Sequence, residues 1–539
     1  MSPAALKLKG KAPKHIIQKV GELKPRRANF ESIWQDVGDY LIPRKNDIQK
    51  TSSPGEPKYV QLLDPAGATY AELLAGTLHS MLTNPAGFFF GLTSGDRALD
   101  QLDSVRLWMQ KVVQIMHDVL NNSNFQTEIH EFYLDIVNFG TATMSIDEDP
   151  SDVVRFACRP VQEIYIEENS LGVVDTLYRC YKMTCRALVE EFGYENLPEK
   201  IQKQYDDGKD DRHEIIHCIY PSKQAYGDKK APFAFLSQYV LVEFKETVAV
   251  KGYKEFPYIV ARWTKVSGEE YGRGPGEKAL PAVKMQQKIM ETTIKGAQKT
   301  VDPPLQAPDD GFVLPLVTRP GGFNYYRAGS EDRIQPIFAD ARVDFGFQMI
   351  EIVDRKIRDA FYVDQLKLRD GPQMTATEVT ERSEQSLRFL GPMFGRLQKE
   401  KLQPTVERVY KICDRRGLFP APPPELNNVP LQVQYTSVMA MAQRQSQVQN
   451  IQRTMQAVTP FASADPRMLR IFNGEFMGKH IAQLFNFPQE GIRSQEELDQ
   501  MDKQEQAQQQ AMMQNAQTQQ TADTAAKMMQ AVGKVSKPA

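Results

Sequence analysis

GPQMTATEVTERSEQSLRFLGPMFGRLQKEKLQP, residues 371–404, decides how the rest of the chain is read. Beyond the opening Gly-Pro it spaces Leu387, Leu390, Phe394 and Leu397 three and four residues apart, one stripe of an α-helix. The helical pattern runs over about 376–416, and at ~1.5 Å per residue it would reach roughly 60 Å. Pro392 and Pro404 fall inside it, so a kinked helix is expected rather than a straight one. A helix this long, apolar along one stripe, buries too little within its own chain. Identical subunits around a ring would cover the remainder.

Working backwards, residues 364–375, which contain LKLRDGPQMT, form a polar loop, and 340–363 reads as a helix. Residues 301–336 are rich in Pro and Gly, with short β-like pieces FVLPLV and FNYY, and 283–300 is again helical. From Thr141 to about 260 the character differs. Short β-branched and aromatic runs such as VVRFACR, EIYIE, EIIHCIY and YIVARW are interrupted by one helix-like stretch, 184–193. This is the pattern of an α+β region with antiparallel pairs. The front of the chain reads as a loose basic arm over 1–25, then helices at 26–40, 65–83, 101–120 and 124–138. Asp64 is the expected N-cap of the second of these, with Pro65 at its first position. Working forwards, 437–487 carries two or three helices. From 495 on the chain is rich in Gln, Ala and Met and is read as a weakly ordered tail. The fold class is therefore α+β, mainly helical.

At 539 residues the chain is too long for one core. Its 66 basic and 68 acidic side chains nearly cancel, which excludes the concentrated positive footprint of a general nucleic-acid binder. Five cysteines, with no CxxC spacing, point to reduced thiols. No apolar run approaches the length of a membrane span, and the basic N-terminus lacks the apolar core of a secretion signal.

Two motifs look chemical. HEIIH, 213–217, matches the zinc-protease pattern, but that chemistry needs a helix, and this stretch opens a β-branched, aromatic run. On a strand His213 and His217 share a face about 13 Å apart, with Glu214 opposite. GRGPGEK, 272–278, resembles a phosphate loop. However, Glu277 follows Gly276 where lysine is required, so a tight turn opening a helix is expected. The carboxylate pairs Glu167/Glu168 and Asp309/Asp310 read as solvated turns. No catalytic residue, metal ligand or cofactor site is assigned. The helix over 277–299 carries a lysine excess, including Lys284, Lys288 and Lys295. The 364–375 loop gathers Lys367, Arg369, Asp370 and Gly371.

Six blocks in order, spanning roughly 26–480, resemble one family. They are FESIWQDVGDYLIPR, LLDPAGATYAELLAGTLHSMLTNPAGFFFGL, SNFQTEIHEFYLDIVNFGTATMSIDED, RPVQEIYIEENSLGVVDTLYRCYKMTCRALVEEFG, YGRGPGEKALPAVKMQQ and the opening quotation. The chain resembles the portal, or head-to-tail connector, proteins of T7-like short-tailed bacteriophages. The resemblance implies an elongated subunit with wing, stem, clip and crown regions in a ring, commonly of twelve copies. Residues 1–275 would belong to the wing, 276–300 and 337–363 to two stem helices, and 301–336 to the clip. Residues 364–375 would be a channel loop, 376–430 a long wing helix and linker, 431–495 the crown, and 496–539 the Gln-rich tail. Lys367, Arg369, Asp370 and Gly371 then become candidate DNA-channel residues, with Lys284, Lys288 and Lys295 as channel-facing stem charges. The implied role is non-enzymatic: a vertex channel for packaging and ejecting double-stranded DNA. Implied partners are the terminase large subunit, scaffold protein, major capsid protein and a tail adaptor, without membrane insertion. The implied location is the virion head-tail junction, after assembly in the host bacterial cytoplasm. The alternative is another virion structural or scaffold protein.

Overall fold

The computed structural model describes residues 8–301 apart from 54, 60–61, 86, 101 and 228–230, then 305–306, 335–336, 343–366, 391, 394–426, 429, 431–435 and scattered positions between 451 and 527. The architecture is mixed α and β, as expected. Two compact units are distinguished. One comprises residues 1–90, 115–419 and 435–439, the other 91–114, 420–434 and 440–539.

The front of the chain is helical: α1 (Pro13–Tyr40), α2 (Ala66–Leu82), a short strand β1 (Phe90–Thr93), the single turn α3 (Arg97–Asp100), α4 (Asp103–Asn122) and α5 (Phe125–Phe139). Two expectations are corrected here. Residues 13–25 are not a loose arm but the first half of α1, because Ile16, Val20 and Leu23 recur at helical spacing and are buried. In α2 the capping position is Pro65 rather than Asp64, although the Asp64 carboxylate still accepts from the Ala66 N–H at 2.9 Å.

The chain then builds β2 (Thr141–Asp149), β3 (Val153–Arg159), β4 (Ile164–Glu168), β5 (Val174–Thr184), α6 (Cys185–Phe192), α7 (Glu199–Asp206), β6 (Arg212–Pro221), the turn α8 (Lys223–Tyr226), β7 (Phe235–Leu241), β8 (Glu246–Tyr253) and β9 (Tyr258–Arg262). The strands form two antiparallel sheets, ordered β4-β5-β6-β7-β8 and β3-β2-β9. The five-stranded sheet is covered on both faces. Ile16, Val20 and Leu23 of α1 pack on Tyr178, Ile216, Cys218, Leu236 and Val240. On the other face Leu188 and Phe192 of α6 and Ile201 of α7 pack on Ile215, Tyr239 and Leu241. The period of two in β6 and β7 supplies both sets. Ahead of α1, the backbone of Lys11 is clamped by the buried Gln238 amide, which donates to its carbonyl at 2.8 Å and accepts from its N–H at 2.9 Å.

After β9 come α9 (Pro275–Val301), the two-residue pair β10 (Leu305–Gln306) with β11 (Gln335–Pro336), α10 (Val343–Ala360), the turn α11 (Val363–Leu366), α12 (Gln403–Arg415) and β12 (Gln432–Tyr435). The expected kink near Pro404 takes a specific form. A π-helical turn, Gln398–Leu402, precedes α12 and leaves Pro404 in its first turn, where a missing N–H costs least. The rest of the expected 376–416 helix before 391, with Pro392, lies outside the described residues. So do most of 301–336 and most of 436–539. Within the second unit, β1 pairs with β12, and the Trp108 indole N–H donates to Pro420 O at 2.9 Å.

Candidate functional site

The feature that sets this fold apart is the α9–α10 pair, and its base is a knot of glycines. α5 ends at Gly140 in the left-handed region (φ 74°). A Cβ there would lie 2.5 Å from Gly272 O and from Gly274 N, and one on Gly276 would lie 2.6 Å from Asn138 O. GRGPG is thus a backbone-to-backbone contact between the α5–β2 corner and the start of α9, and no phosphate cradle. As expected, the turn opens a helix, and Arg273 bridges Glu269 and Glu277.

Through its first half α9 is anchored. Ala279, Leu280, Val283, Gln286 and Gln287 make its buried face. Val283 reaches Gly67 at the start of α2, and Gln287 accepts from Leu63 N–H at 2.8 Å while donating to Asp64 O at 2.6 Å. α10 returns antiparallel. Its Gly346 lies against Thr293 of α9, and its Asp354 accepts from the Tyr70 hydroxyl of α2 at 2.9 Å. Burial, followed by the Asp354 carboxylate, pushes the Tyr70 phenol up to about 12.

The other end of the pair is different. α10 buries Val353, Ile357 and Ala360 but leaves Phe345 61%, Phe347 58% and Ile352 51% exposed. Between the helices runs a groove of about 430 Å³ bounded by Ile289, Thr293, Gly296, Val343, Phe345 and Met349. No acid–base dyad is built here. Among the described residues no group of three His, Cys, Asp or Glu is placed to hold a metal ion, and no helix is long and apolar enough to cross a membrane.

Of the stem lysines, Lys284 pairs with Asp36 of α1 at 2.7 Å, while Lys288 and Lys295 are solvent-exposed and share Glu291. Hydrogen bonds from Lys295 and Lys288 draw the Glu291 carboxyl down to about 2. Lys367, Arg369, Asp370 and Gly371 lie outside the described residues, as do Asp309 and Asp310.

HEIIH lies on β6, as read. His213 and His217 are buried, the first between Glu243 (3.1 Å) and Gln204 (2.9 Å), the second bonded to Ser237 Oγ at 2.7 Å and stacked on Tyr239 at 4.0 Å. Burial, reinforced by the Arg179 and Arg159 charges, holds the His217 imidazole well below its ordinary range.

One expectation fails. Glu167 and Glu168 are not solvated turns: Glu167 pairs with Lys19 at 2.9 Å, and Glu168 pairs with Lys265 at 2.6 Å and with the buried Arg262. Arg262 is held in turn by Glu400, the middle residue of the π-turn, at 2.9 Å. This four-charge cluster ties β9, β4 and the helix before α12 together. Its two carboxylates lie 94 and 138 residues from Arg262 along the chain, so no local signal marks it.

Residues 13–493 match the family described as bacteriophage head to tail connecting protein. The chain belongs to this family. The six-block resemblance is borne out, and the match runs beyond it at both ends. Over 490 residues the connector is 30% identical to a probable portal protein of Bordetella phage BPP-1, covering 89% of this chain and 88% of that one. It is 28% identical over 472 residues to the portal protein of Salmonella phage epsilon15, covering 84% of each. The portal protein of Escherichia phage T7 is a more distant relative, 21% identical over 430 residues and 75% of each chain.

Proposed function

We propose that this connector is a non-enzymatic portal subunit that closes into a ring, through which double-stranded DNA is packaged and ejected at the head-tail junction of the virion. The observation that carries this reading is the one-sided burial of the α9–α10 pair. Two helices anchored at one end, with Phe345 and Ile352 exposed on one side of α10 and Phe347 on the other, are completed by neighbouring copies, and identical subunits related by rotation supply them without a free edge.

In this reading α9 and α10, with the flanking residues to 276–300 and 337–363, are the stem. Residues 301–336 are the clip, facing terminase during packaging and a tail adaptor afterwards. Residues 1–275 and 376–430 form the wing, 431–495 the crown, and 496–539 a tail beside it. Scaffold and major capsid protein meet the ring during assembly in the host cytoplasm. The loop 364–375 projects into the channel, with Lys367, Arg369, Asp370 and Gly371 at the DNA. Each subunit carries a net charge of only −2, so the ring adds no strong general attraction for phosphate that would arrest sliding. The guanidinium of Arg369 is a planar multi-donor suited to phosphate oxygens, and Lys367 is a more mobile charge beside it.

Electron microscopy of the purified chain tests the ring, and top views with a central hole and one rotational symmetry are the expected result. A monodisperse, folded monomer at micromolar concentration would reject it. For the loop, Lys367→Ala with Arg369→Ala should leave rings intact while particles retain less full-length DNA. Wild-type packaging and retention by that variant would make these side chains ordinary solvated loop residues.

A further inference from the structure

The π-turn at Gln398–Leu402 holds an unusual lysine. Glu400 and Lys401 are neighbours, and both point into protein. Glu400 is fully matched: it accepts from the Arg262 backbone N–H at 2.9 Å, from the Arg262 guanidinium and from Arg396. Lys401 is 0% exposed, and among the described residues its ammonium position has one hydrogen-bond partner, the Tyr133 hydroxyl at 3.1 Å, which also accepts from Thr83 at 3.4 Å. The rings of Tyr133 and Phe125 lie 5.0 and 5.5 Å from Nζ. Of the other titratable groups on the packed elements, His79 of α2 lies nearest, its ring 6.4 Å from Tyr133 and 6.1 Å from His130 of α5. The rest are engaged elsewhere or exposed: Glu131 and Asp135 of α5 pair with Lys45, Glu128 accepts from the Cys158 N–H, Tyr70 of α2 donates to Asp354, Glu72 is exposed, and Arg262 of β9 is held by Glu168 and Glu400. Among the described residues no carboxylate pairs with Lys401.

A charged amine without a counter-ion in an apolar pocket is strongly disfavoured. Lys401 reaches that pocket because the π-turn adds a residue to the helix; an ordinary α-turn would rotate the side chain by about 100°. We propose that the π-turn at 398–402 is a one-residue register switch, closed by a buried, uncharged Lys401 and opened when that amine takes a proton from water and leaves the Tyr133–Phe125 pocket. Opening would free residues 394–397, the described turn ahead of it, while the Arg262–Glu400 cluster keeps its base attached. Desolvation, which holds the Lys401 amine well below the ordinary lysine range, agrees with the closed state. The switch does not depend on the channel-loop assignment, because it is built wholly from described contacts.

Hydrogen exchange on the full-length, assembled connector tests it, comparing amides 394–402 at pH 6.5 and 8.5 after correction for intrinsic exchange. In the wild type their protection should fall towards low pH, by up to about tenfold per pH unit for one linked proton. Lys401→Met, an apolar near-isostere, should be protected equally at both pH values and more than wild type. Lys401→Arg, which cannot shed its charge, should be unprotected at both. A wild-type pH dependence that survives in Lys401→Met overturns the switch, as does an Arg variant protected like wild type. Failure of Lys401→Met to fold would overturn it too, since that side chain should strengthen the closed register. His79→Gln should keep the slope, and loss of the slope there would transfer the titration to histidine.

Discussion

The five-stranded sheet and the α9–α10 pair draw on similar apolar residues and reach opposite states. The sheet has α1 on one face and α6 and α7 on the other, so Tyr178, Ile216, Leu236 and Leu241 are fully covered by their own chain. The helix pair has α2 and α5 near its base and leaves Phe345, Phe347 and Ile352 more than half exposed. The sheet spends its apolar surface within one chain, whereas the pair leaves contact surface unspent. In the proposed ring, folding and assembly would be carried by different residues, and substitutions should separate them.

The largest effect is expected from Phe345→Ser with Phe347→Ser. Burying a Phe side chain is worth about 1.5–3 kcal/mol, and a closed ring repeats that loss at every junction. Rings should be lost in native mass spectrometry, while circular dichroism and the melting of the isolated subunit change little. If rings persist, the open face serves something other than self-assembly. Leu236→Ala sharpens the contrast from the other side. It should cost about 2–5 kcal/mol in denaturant unfolding, with ring symmetry unchanged in whatever fraction still folds. The smallest effect concerns His217. Its folded pKa lies below the unfolded value near 6.5, so the unfolded chain binds the extra proton. Stability is full above pH about 6.5 and falls as pH drops below it, by at most about 1.4 kcal/mol per unit. In His217→Gln that part of the slope should vanish, as read from melting temperatures between pH 4.5 and 7. An unchanged slope would mean that the buried imidazole is not its source.

Much of this was legible in the residues. The switch from helical to alternating periodicity at Thr141, the return to helix after GRGPG, and the strand under HEIIH all follow from local spacing and Gly/Pro punctuation. What local spacing hides is equally specific. The lysines around Ile16, Val20 and Leu23 mask a helix whose reason to form is the distant sheet. Glu168 and Glu400 meet at Arg262 only through tertiary structure. A π-turn leaves no trace in a pattern scanned at 3.6 residues per turn, so nothing in the sequence singles out Lys401. At the candidate site, the lysines of α9 were found by their excess. Their division into an anchored Lys284 and the exposed Lys288 and Lys295 rests on where Asp36 and Glu291 fall.

The glycine knot beneath α9 also has a mechanical meaning. α9 is a lever of 27 residues, about 40 Å long at 1.5 Å per residue, and its fulcrum is the contact of Gly272, Gly274 and Gly276 with the α5–β2 corner. A methyl group wedged into that fulcrum, tilting the helix by about 5°, would swing its far end by roughly 3.5 Å over that length. Repeated with the same sign in every copy, so small a displacement at the pivot would widen or narrow whatever aperture the far ends enclose. In the proposed ring these three glycines would set the calibre of an opening that they never touch.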